Sequence, residues 1–154
     1  MFSLPILSEN LRLRRPVSGS PQVFDPVRRR WVTFTPEEAV RQNFIAFCLL
    51  EMRYPQTYFT VEKGVSAPGI AARFDVLIYD RQHQPWMLVE CKAPEVPVNE
   101  TTLFQLLRYQ QALGCRYWVL YNGVSCYCAD AQNPEAIRWL PGLPSFEDLV
   151  GGAL

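Results

Sequence analysis

The chain has 154 residues, 49% of them hydrophobic and 13% aromatic, with 15 basic and 15 acidic side chains and a formal net charge of zero. That length suits one domain burying about two-thirds of its unfolded surface, and no apolar run approaches the roughly 20 residues that span a bilayer. The opening Met1-Phe2-Ser3-Leu4-Pro5 lacks the basic region and long apolar stretch of a signal peptide, so the expectation is a cytoplasmic protein without a membrane partner.

Along the chain, residues 1–20, with Pro5, Pro16, Ser18, Gly19 and Ser20, read as an extended arm. Gln22–Phe24 and Arg30–Phe34, around Asp25-Pro26, read as a short hairpin. Residues 1–34 hold six arginines (Arg12, Arg14, Arg15, Arg28, Arg29, Arg30) against Glu9 and Asp25, a local +4 that leaves −4 for the remainder. Such an arm either touches a phosphate backbone or is simply solvated.

A strong helix follows, with Thr35 as N-cap, Pro36 at the first helical position and Glu38 as capping-box partner. It is expected to run to about Arg53, with Val40, Phe44, Phe47, Cys48, Leu50 and Met52 turned to the core. Thr57–Val61 reads as a strand and Val65–Ala72 as an irregular link.

Residues 73–92 carry the strongest signal. Two apolar, β-rich runs flank Arg81-Gln82-His83-Gln84, the pattern of a β-hairpin. If Asp80 and Pro85 close the loop, antiparallel pairing sets Asp75 across from Glu90. Alternation then projects Asp75, Glu90 and Lys92 to one face and Val76, Ile78, Val89 and Cys91 to the other.

Past the hairpin, Ala93-Pro94-Glu95-Val96-Pro97 is a loop, and Asn99 or Thr101 caps a second helix to about Leu113, with Gln105 and Tyr109 a turn apart on one face. Gly114 is its C-cap. Arg116–Tyr121, the turn Asn122-Gly123 and Val124–Ala129 form a further strand pair. Residues 131–154 read as a tail with a short helix at Phe146–Val150. The pattern is α/β: a 1–34 arm and hairpin, a 35–130 core built on a mixed sheet with a helix on each face, and the tail.

Five cysteines without a Cys-x-x-Cys pair argue against disulfides and zinc, and read as reduced packing residues. The single histidine, His83, falls in the hairpin loop, where no catalytic role suggests itself.

The chemistry lies in the opposed carboxylates. Cross-strand Cβ atoms are about 5 Å apart, and two like charges within otherwise apolar strands are costly without a cation between them. A surface ion pair of Glu90 with Lys92 would explain those two residues alone. Carboxylate and carbonyl oxygens suit Mg²⁺, with Mn²⁺ as substitute. A lysine two residues beyond a ligand would hold or deprotonate an attacking water, or stabilise charge on a phosphate.

Asp75 followed by Glu90-Cys91-Lys92 resembles the PD-(D/E)XK nuclease superfamily. The longer stretches Arg73-Phe74-Asp75-Val76-Leu77-Ile78-Tyr79-Asp80 and Leu88-Val89-Glu90-Cys91-Lys92-Ala93-Pro94 resemble its branch at the N-terminus of type I restriction enzyme R subunits. Glu37-Glu38-Ala39-Val40-Arg41-Gln42 and Gln105-Leu106-Leu107-Arg108-Tyr109 fit the same branch, so the resemblance covers about residues 33–130. It departs at Phe74, where the superfamily has proline.

The resemblance implies a restriction-endonuclease-like fold and a Mg²⁺-dependent endonuclease acting on DNA. It implies Asp75, Glu90 and the Cys91 carbonyl as metal ligands, joined by Glu37 or Glu38, with Glu38 taken as the candidate. Lys92 and Gln105 would act in catalysis, and Tyr109 and Arg41 would contact nucleic acid. Without a Gly-x-x-x-x-Gly-Lys loop, motor or specificity subunits would be supplied by other chains. A catalytically weak DNA-binding or docking module, and a stand-alone repair or defence nuclease, are the alternatives.

Overall fold

The computed structural model describes residues 1–61, 64–67, 70–110, 113–133 and 135–145, with the side chains of 64–67, 70–73 and 106–110 outside the description. The expected helix at 146–150 therefore lies outside the described residues. β1 (Leu13–Arg14), β2 (Gln22–Asp25) and β3 (Arg30–Thr33) form an antiparallel three-stranded sheet, and α1 (Pro36–Leu50) follows. Then come β4 (Phe59–Val61), β5 (Gly64–Ala67), β6 (Ile70–Arg73), β7 (Val76–Tyr79), β8 (Pro85–Cys91), α2 (Glu100–Gln110), β9 (Tyr117–Tyr121), β10 (Cys126–Asp130) and β11 (Arg138–Leu140).

The central sheet has the order β11-β10-β9-β8-β7-β4. Only β8 and β9 pair in parallel within it, because α2 carries the chain across between them. It is the mixed α/β sheet that the pattern predicts. Val76, Ile78, Val89 and Cys91 pack with Val40, Phe44, Ile45 and Cys48 of α1 on one face. Leu77, Leu88, Trp118 and Leu120 pack with Leu103 of α2 on the other. Burying large aliphatic side chains contributes about 1.5–3 kcal/mol each, which fixes the register and with it the polar residues at the strand ends.

The start of α1 follows its sequence signal: Thr35 Oγ1 accepts the Glu38 N–H at 3.1 Å. The other half of the capping box is absent, since the Thr35 N–H donates to Thr33 O. The helix ends at Leu50 instead of Arg53, with Glu51 as C-cap and Arg53 at φ 61°. On α2 the cap is Asn99, whose Oδ1 accepts from Thr102 N at 2.9 Å.

Three segments differ from expectation. The link at 65–72 contains most of the antiparallel pair β5–β6. β11 pairs with β10 and extends the sheet into the expected tail. The first residues lie on the body of the protein: Phe2 bridges Cys126, Leu4 is buried, and Asn43 accepts from Leu7 N and donates to Pro5 O. Short strands whose apolar content is shared with turns carry little periodicity, which is why these were illegible.

All five cysteines are free and buried. No helix among the described residues is long and apolar enough to cross a membrane.

Candidate functional site

The hairpin sets the site. β7 and β8 pair Val76 with Val89, Leu77 with Leu88 and Ile78 with Met87, and a bulge at the loop end then shifts the register. Asp80 closes the loop, accepting the Gln82 and Gln84 N–H groups at 2.9 Å each, while His83 sits exposed at φ 59°. The bulge lies beyond Ile78, so the register at the other end is the expected one, and Asp75, on a bend just before β7, meets Glu90. The two carboxyl groups lie close enough for the charge of Asp75 to act on Glu90.

Glu90 is pushed up to about 7 by burial and then by the charge of Asp75, partly offset by its bond to Lys92. The Lys92 ammonium lies 3.0 Å from Glu90 Oε1. Burial works against its charge, but the hydrogen bond and charge of Glu90, followed by Asp75 and Glu37, outweigh that and raise its pKa. Lys92 is therefore a proton-holding cation, suited to orienting water and offsetting phosphate charge; removing a proton is the task it fits least.

Asp75 is held from two sides. Its Oδ2 accepts the Cys91 N–H at 2.8 Å and its Oδ1 accepts from Arg41 at 2.8 Å. Arg41 belongs to a chain of alternating charges. The Asp25 carboxylate, fully buried, pairs with Arg28; Arg28 pairs with Glu38; Glu38 pairs with Arg41 at 2.9 Å; and Arg41 reaches Asp75. Burial opposes the charge of Arg41, yet Glu38 and then Asp75 outweigh it and raise its pKa.

Two of the expected site residues take part in this chain of charges. Arg41, expected to contact nucleic acid, is only 4% exposed and has its guanidinium committed to carboxylates. Glu38, expected to reach a metal, has both carboxylate oxygens bonded by Arg41 and one also by Arg28. Glu37 is the member of the pair left half-exposed, 3.6 Å from Arg41 and close enough to act electrostatically on Lys92. The arginines were the missed signal: an Arg three residues after a Glu in a helix pairs with it.

The remaining candidates are placed less closely. The Cys91 thiol is buried on the α1 face with its pKa raised well above the usual value by burial, leaving only its backbone for the site. Gln105 is exposed on α2, the helix that covers the Glu90 face. The Tyr109 side chain lies outside the described residues.

The residues fit a divalent cation. Asp75 and Glu90 are hard oxygen donors forced together, and the proton Glu90 retains to about 7 marks where positive charge is wanted. Among the described residues no group of three or more His, Cys, Asp or Glu converges on one point, so backbone oxygen and water would complete the shell. Beside the site, bordered by Arg41 and Ala93, a cleft of about 680 Å³ runs between α1 and β3, lined also by Arg28, Arg30, Trp31, Glu37 and Glu95.

No curated protein matches the chain. The family model for the N terminus of the type I restriction enzyme R protein matches residues 36–144, a segment running from the first residue of α1 past β11 that contains Asp75, Glu90 and Lys92 and has the sheet and flanking helices of a restriction-endonuclease-like domain. The chain belongs to the family of type I restriction enzyme R protein N-terminal domains.

Proposed function

We propose that this domain is a Mg²⁺-dependent endonuclease of the PD-(D/E)XK type that hydrolyses phosphodiester bonds in DNA. The observation that carries the reading is the meeting of Asp75, Glu90 and Lys92 at one end of the β7–β8 hairpin, with Glu90 holding its proton to about 7. Asp75 and Glu90, with the Cys91 carbonyl, would hold the cation, which supplies Lewis-acid polarisation of the phosphate when bound. Glu37, half-exposed beside Arg41, is the acidic side chain on α1 that would join them.

This chain's own residues do the rest. Arg41 fixes one oxygen of Asp75 and the Cys91 N–H the other, so the carboxylate enters the reaction already oriented. Lys92, kept charged by Glu90, orients water and offsets charge as it grows on the phosphate oxygens. Gln105 and Tyr109 on α2 would steady the phosphate backbone.

One observation favours a second reading, a DNA-binding or docking module without turnover: both oxygens of Asp75 already accept hydrogen bonds. Incubating plasmid, linear, single-stranded and branched DNA with the protein in Mg²⁺ or Mn²⁺, beside Lys92→Ala, separates the two. Cutting that disappears in a folded variant supports the nuclease and reveals whether it prefers the duplex or repair-type structures. Wild-type protein that cuts nothing in either metal would overturn it.

A further inference from the structure

We infer that the N-terminal three-stranded sheet is the surface that holds duplex DNA against the site, through arginine contacts to phosphates. The inference rests on the nuclease reading and adds the residues that meet the substrate. The family match begins at residue 36, so this sheet lies outside it.

Cross-strand pairing puts Arg14 with Gln22 and Thr33, and Phe24 with Trp31, on one face, while Leu13, Val23 and Val32 share the other. Val23 is fully buried, so the arginine face is the outer one. There the Arg14 guanidinium lies 4.2 Å from the Trp31 ring centroid, and that of Arg12 lies 5.3 Å from it and 5.0 Å from Phe24. Arg14 Nε also donates to Gln22 Oε1 at 2.8 Å. Stacking fixes each guanidinium plane while its N–H edge stays available, so less rotamer freedom is lost on meeting a phosphate.

Arg29 and Arg30 are exposed at the turn end of the β2–β3 hairpin, and Arg30 and Trp31 also line the cleft beside the site. Arg28 is not part of this surface, because Asp25 and Glu38 neutralise it. The arm's charge is thus outward and adjoins the cleft, on a body that is otherwise acidic.

The chemistry fits a dense line of fixed negative charge. Duplex DNA carries one per about 1.7 Å and releases condensed counter-ions where arginines neutralise it, which suits the exposed arginines that lead to the cleft at Arg30. An acidic peptide has a sparser line of charge and gains less from counter-ion release. Guanidiniums cover Trp31, leaving it poorly placed to stack bases, so the backbone of a duplex fits better than a single strand.

The test is anisotropy of a labelled duplex with the full chain in EDTA, from 50 to 300 mM KCl. In Arg14→Gln/Arg29→Gln/Arg30→Gln, the slope of log K against log salt should fall by about 0.9 per residue, about 2.7 in all. The corresponding triple lysine variant should keep it. Arg29→Gln/Arg30→Gln, which touches no aromatic ring, should lose about 1.8 and guards against misfolding of the triple variant.

An unchanged slope in the folded double variant overturns the surface, as does wild-type binding of poly-glutamate or single strands as tight as duplex. Failure here with Lys92-dependent cutting intact sinks the surface and leaves the nuclease standing; arginine-dependent binding without cutting does the reverse.

Discussion

Replacing Arg41 by glutamine removes the cation that joins α1 to the site. The guanidinium is 4% exposed and pairs with Glu38 at 2.9 Å, Asp75 at 2.8 Å and Glu37 at 3.6 Å. Deleting one member of a buried pair costs about 3–5 kcal/mol, because the other charge remains buried and uncompensated. Glu38 retains Arg28, so the loss falls mainly on Asp75 and should lie near the lower bound, about 3 kcal/mol at pH 7. Urea unfolding followed by tryptophan fluorescence measures it. Adding Asp75→Asn removes the stranded charge and should recover part of the loss, giving a coupling of more than about 1 kcal/mol. A loss below about 1 kcal/mol, or strict additivity of the two substitutions, would refute the ion-pair chain as the element that holds Asp75.

The Glu90 carboxyl, raised from 4.5 to about 7, should destabilise the cation-free protein as pH rises. Below 4.5 folded and unfolded states both hold the proton, and stability is complete; between 4.5 and about 7 only the folded state retains it, and stability falls. The difference between wild type and Glu90→Gln should therefore shift by about 3 kcal/mol across that window, and parallel stability curves would rule the shift out. Glu38→Gln should lower the melting temperature by loosening Arg28 and Arg41, whereas Glu37→Gln should leave melting almost unchanged and weaken Mn²⁺ binding; the opposite pattern would return Glu38 to the metal.

The hairpin was legible because its two apolar, β-rich runs are nearly continuous and Asp80 and the loop residues punctuate them. From that register the meeting of Asp75, Glu90 and Lys92 follows, as does the start of α1 from Thr35-Pro36. The ion pairing of Arg41 and Glu38 was not legible, for a common reason. Helical spacing reveals which face a residue occupies, but a charged residue on a helix could equally be solvated or buried against a partner from another element. Here that partner was Asp75, 34 positions away. Arg28 could not be placed either, since only the packed position of the β2–β3 turn brings it to Glu38.

The claim that Asp75 and Glu90 together hold a divalent cation is tested most directly by titrating the protein with Mn²⁺ calorimetrically in buffers of different ionisation enthalpy. With Glu90 near 7, binding should release about 0.9 proton at pH 6 and about 0.1 at pH 8, and Asp75→Ala should abolish both the binding and the release. Mn²⁺ binding that persists in Asp75→Ala, or that releases no proton at pH 6, would contradict the assignment.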